Sequence, residues 1–69
     1  MEMENGYQVI GLHDNFNVGG NMLHIIRVEK GEAVVENVKT GRNSTYGIQA
    51  LDRVVRQSGY TIKKELLEG

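Results

Sequence analysis

The nucleophile–base pairing this sequence invites first is Ser44 with His24. Whether they meet depends on the turns between them. Lys30-Gly31 and Thr40-Gly41 read as two-residue hairpin loops, in which Gly supplies a positive φ. In that register Glu29 faces Glu32, Val28 faces Ala33, Ile26 faces Val35 and His24 faces Asn37. Across the second turn Asn37 faces Ser44 and Val35 faces Tyr46. His24, Asn37 and Ser44 then form one row across three strands. Two strand spacings, roughly 10 Å, separate Ser44 from His24. A nucleophile needs its base within hydrogen-bond reach, and no carboxylate lies in the row to orient the imidazole. No catalytic residue is assigned, and the chain is read as not an enzyme.

Metal and cofactor chemistry find little support either. His13-Asp14 and His24 offer nitrogen and oxygen ligands, but without the spacing that closes a tetrahedral site. The "NVGGN" stretch at 17–21 matches neither the dinucleotide fingerprint nor the P-loop pattern. No metal ligand and no cofactor is expected.

The basic residues carry more information. Net charge is −1, yet Lys39, Arg42, Arg53, Arg56, Lys63 and Lys64 oppose only Asp52 between residues 37 and 64. Backbone amides at a turn and a helix start can hold an anion together. The expected binding patch is Lys39, Arg42, Asn43, Ser44, Thr45, Arg53 and Arg56, fitted to a phosphate, a nucleic acid or an acidic protein surface. Exposed aromatics for base stacking are scarce, with Tyr46 expected in the core.

The positioning elements follow from periodicity. "YQVIGL" (7–12) reads as a strand and 13–21 as a loop. "MLHIIRVE" (22–29), "EAVVENVK" (32–39) and "RNSTY" (42–46) read as an antiparallel meander. Ile48, Leu51, Val54 and Val55 recur at helical spacing, so a helix is expected over 48–58, started by Gly47 and stopped by Gly59. "YTIKKELL" (60–67) alternates as a last strand, with a helical end as the other reading. One sheet face would carry Ile26, Val35 and Tyr46 against the helix. The other carries Leu23, Ile25, Arg27, Val34 and Glu36, a half-apolar surface read as a protein interface, with Arg27 and Glu36 close enough to pair.

At 69 residues the chain makes a single domain, 1–69, with residues 1–5 expected to be disordered. Domains this small often need a staple or an oligomer, so a homodimer or higher oligomer is among the expectations. Cysteine is absent, no apolar run reaches membrane length, and a cytoplasmic protein is the reading.

The stretch "FNVGGNMLHIIRVEKGEAVVENVKTGR" sets a glycine-bounded loop before a long strand and two tight turns. Over roughly residues 16–46 this layout resembles SH3-like small barrels of the Tudor or KOW kind. The helix at 48–58 stands where such barrels carry a short 3₁₀ turn. In its economy the chain is also similar to small phage- or mobile-element-encoded proteins that bind and inhibit a host factor. The expected fold is α+β, a small antiparallel meander or partly open SH3-like barrel with one packed helix. The expected function is a non-enzymatic binding or inhibitory module for a protein partner. The alternative is nucleic-acid or nucleotide-phosphate binding through residues 39–56.

Overall fold

A computed structural model describes residues 2–68. Two sheets and two helices alternate along the chain. β3 (Phe16–Val18), β4 (Asn21–Glu29), β5 (Glu32–Asn37) and β6 (Asn43–Gly47) form a four-stranded antiparallel meander in sequence order. β1 (Met3–Glu4), β2 (Tyr7–Ile10) and β7 (Tyr60–Ile62) form the second sheet, in which β2 and β7 run parallel. A parallel pair needs a crossover, and here the meander and α1 (Ile48–Arg56) supply it. The fold is α+β with separate sheets, and the described residues form no closed barrel.

The turn at Lys30-Gly31 forms as expected, with φ of 50° and 76°, and Glu29 faces Glu32. Two residues further along, the expected register breaks. A bulge between Ile25 and Arg27 pairs Ile25 with Val35 and His24 with Glu36. Strict alternation would have turned Ile26 and His24 inward. The extra residue lets Val28, Ile25 and Leu23 share the inner face, and it avoids desolvating an imidazole there.

The second hairpin also differs. Asn37 N–H donates to Arg42 C=O, so four residues, 38–41, make the loop instead of two. Asn37 Oδ1 accepts from the amides of Lys39 and Thr40 at 3.0 and 3.2 Å, an Asx turn. Gly41 closes the loop at φ 77°. Ser44 thereby faces Val35 and Tyr46 faces Ala33. The shift is even, so Tyr46 keeps its face, but it moves to the margin and is 45% exposed.

The N-terminal segment 1–5, expected to be disordered, contains β1, paired to β2 as Met3 with Gln8 and Glu4 with Tyr7. Asn5-Gly6 turns the hairpin at φ 51° and 84°. Met1 lies outside the described residues. At the other end, 60–67 divides into β7 and α2 (Lys64–Glu68). The expected loop at 13–21 holds β3.

Helix α1 begins after Gly47, which adds no side-chain cap, and ends at Arg56, ahead of Gly59 at φ 90°. Ile48, Leu51 and Val55 enter the core with Ile10, Phe16, Ile25, Ala33, Val35 and Ile62. Each buried large apolar side chain contributes about 1.5–3 kcal/mol. Leu66 and Leu67 of α2 pack against the same cluster.

Candidate functional site

A nine-residue helix spans about 14 Å, whereas nine residues of strand span about 30 Å. Both α1 and β4 have nine residues, so the helix covers only part of the meander's inner face. The remainder is a groove of about 660 Å³. Phe16, Val18, Leu23, Val35, Leu51 and Val55 line its apolar floor and sides. Tyr46 and Val54, 45% and 46% exposed, flank it. Asn21, Asn37, Thr40, Arg42 and Ser44 supply the polar lining. The volume lies in the range typical of small-ligand sites, and apolar walls with a few convergent polar groups are their usual chemistry.

Among the described residues, Arg42 is the only charged one lining this groove. Its backbone N–H donates to Thr40 Oγ1 at 3.3 Å, while its guanidinium has no partner among the described residues.

Arg56 is placed very differently. Its Nε donates to Asp52 Oδ2 at 2.9 Å, a further nitrogen donates to Thr61 Oγ1, and its guanidinium lies 5.2 Å from the Tyr7 ring centroid. Asp52 is buried. Its Oδ1 accepts from Ile62 N–H at 2.9 Å and from Thr61 Oγ1 at 3.2 Å. Among the described residues no buried side-chain nitrogen or oxygen lacks a partner.

The patch expected over residues 39–56 therefore separates. Ser44 and Arg42 belong to the groove. Asn43 and Thr45 alternate to the opposite face, across from Glu36 and Val34. Lys39 is exposed in the loop, Arg53 is exposed on α1, and Arg56 is held by Asp52. The helix start is also engaged, because Ile48 N–H donates to Gly31 C=O at 2.8 Å.

The surface expected from Leu23, Ile25, Arg27, Val34 and Glu36 changes for the same reason as the register. Ile25 is fully buried and Leu23 packs against the core from the groove side. Arg27 and Glu36 take other partners: Arg27 lies 3.6 Å from Glu29, and His24 Nε2 lies 2.6 Å from Glu36 Oε1. His24 and Ser44 thus occupy opposite faces of the sheet, and the expected row with Asn37 is not formed. The His13 ring meets His24 edge-on at 6.0 Å. No group of three or more His, Cys, Asp or Glu that could hold a metal ion occurs among the described residues.

Sequence reasoning missed the groove itself. Its signal was Val54, one apolar residue more than a nine-residue helix needs for its buried face. A second hollow, of about 570 Å³, lies along β2 between Glu2, Gln8, Asp14 and Tyr60, where the Asp14 carboxylate accepts from Gly11 N–H. No helix among the described residues is long and apolar enough to cross a membrane. The fold and groove define a small α+β domain with an open inner sheet face. No family model, curated protein or solved structure matches the chain.

Proposed function

We propose that the chain is a non-enzymatic binding module whose groove captures an apolar segment of a protein partner carrying one acidic group. The observation that supports this reading is the unpartnered Arg42 guanidinium at an otherwise uncharged, mainly apolar groove. Apolar side chains would displace water from Leu23, Val18 and Val54. The carboxylate would meet Arg42, with Ser44 and Thr40 as further donors. Arginine suits this role because its planar fork holds a carboxylate through two parallel bonds. A polyphosphate chain would find one cation among the described groove residues rather than several converging, which favours the protein partner over nucleic acid.

The test is a calorimetric titration with N-acetyl-Leu-Phe-Glu amide and with its Gln counterpart. A hydrogen bond to a charged group contributes about 1.5–3 kcal/mol, so the Glu peptide should bind at least about tenfold more tightly. Equal affinities would remove Arg42 from the reading. Tighter binding of a short oligonucleotide than of either peptide would replace it with the nucleic-acid function.

A further inference from the structure

The free edge of the meander, at β6, carries an inference that does not depend on the groove's ligand. Asn37 N–H donates to Arg42 C=O and Ile48 N–H donates to Gly31 C=O, both at 2.8 Å. Antiparallel ladders alternate between bonded and non-bonded pairs. Ser44 and Tyr46 therefore direct their peptide groups toward β5, and Asn43, Thr45 and Gly47 direct theirs outward. Every residue of β6 is exposed, and the strand ends the sheet order. Natural edges are blunted by charge, proline, bulges or shortness. β6 reads NSTYG, without charge or proline, and its pairing with β5 is unbroken. The opposite edge, β3, is only three residues long, and the edge strand β1 carries Glu4.

We propose that β6 pairs antiparallel with the β6 of a second copy of this chain, with Thr45 on the two-fold axis. Such an interface must be self-complementary, and this strand complements its own reverse in size. Tyr46 stands against the partner's Ser44, and Asn43 against the partner's Gly47. Thr45 exchanges both backbone bonds with the partner's Thr45, and Gly47 N–H donates to the partner's Asn43 C=O. No like charges are opposed along the strand, which is what a second copy requires and a foreign strand would not. An axis normal to the sheet keeps both helices on one side. The partner's Tyr46 then stands beside Ser44 and extends the groove wall at its β6 margin.

Sedimentation equilibrium of the full chain across the micromolar range tests this directly. A dimer mass is expected for the wild type. Thr45→Pro removes an outward N–H that β5 does not use, and Thr45→Lys places charge on the axis. Each should raise the dimer dissociation constant about tenfold to a hundredfold, the equivalent of one or two backbone bonds, with circular dichroism unchanged. Register is read by cysteine pairing, since the chain has no cysteine. Ser44 and the partner's Tyr46 form a non-bonded pair with Cα atoms about 4.5 Å apart, within disulfide range. Oxidising S44C mixed with Y46C should yield the mixed dimer, while either alone stays uncrosslinked. A monomeric wild type, a dimer that survives both Thr45 substitutions, or S44C crosslinking with itself would overturn the proposal. No ligand enters these measurements, so the dimer and the groove reading fail separately.

Discussion

Arg56 and Arg42 carry the same charge and meet different surroundings. At the seam of α1 and β7, Arg56, Asp52, Thr61 and the Ile62 amide satisfy one another. At the β6 end, Arg42 projects beside an open apolar groove with its guanidinium unpartnered among the described residues. The helix between them shows the same division. Val55 is fully buried, and its neighbour Val54 is 46% exposed at the groove. A polar group with all its partners inside the chain holds the fold, whereas a polar group beside exposed apolar surface is available to something else. That contrast underlies the proposed division, with structural work at the seam and partner binding at the β6 end.

The sharpest break of the comparison comes from the adjacent valines. Val55→Asp buries an unpaired carboxylate in the core, a cost of several kcal/mol. A domain of this size has only about 3–5 kcal/mol of stability to lose, so far-UV circular dichroism should report an unfolded chain. Val54→Asp should fold normally and lose the Leu-Phe-Glu peptide. If Val54→Asp also unfolds, the groove is part of the core and the division is wrong.

The next largest effect falls at Asp52. Asp52→Ala leaves the buried Ile62 amide without its acceptor and the half-exposed Arg56 without its partner, at about 1–3 kcal/mol. Asp52→Asn keeps an acceptor for Ile62 and should cost less than half as much. Urea denaturation measures both, and equal losses would mean that the charge, rather than the amide bond, holds the seam.

How much of this was legible in the sequence depends on whether the cause was local. The Lys30-Gly31 turn and the helical spacing of Ile48, Leu51 and Val55 are local, and both appear where expected. Asn5-Gly6 was equally local and was missed, although Asn-Gly is the strongest short hairpin signal. The bulge beside Ile26 was not local. It arises because Leu23 and Ile25 must face inward together with Val28, a demand set by the whole sheet. Asn37 widened its loop through a side-chain bond that competes with the two-residue turn. The burial of Asp52 was not legible locally, because its partners, Thr61 and the Ile62 amide, come from β7, nine and ten residues further along the chain. The candidate site inherited these errors: its residues are near one another in sequence but divide among the 38–41 loop, the two faces of β6 and helix α1.

The two arginines, measured for stability and for affinity in the same samples, give the most direct comparison. Arg56→Ala should lower unfolding free energy by about 1–2 kcal/mol, since its carboxylate partner is buried while the guanidinium itself is half exposed, and leave Leu-Phe-Glu affinity unchanged. Arg42→Ala should leave stability within about 0.5 kcal/mol of wild type and weaken the peptide at least about tenfold. An Arg42→Ala variant that binds as tightly as wild type, or that loses as much stability as Arg56→Ala, would contradict the account.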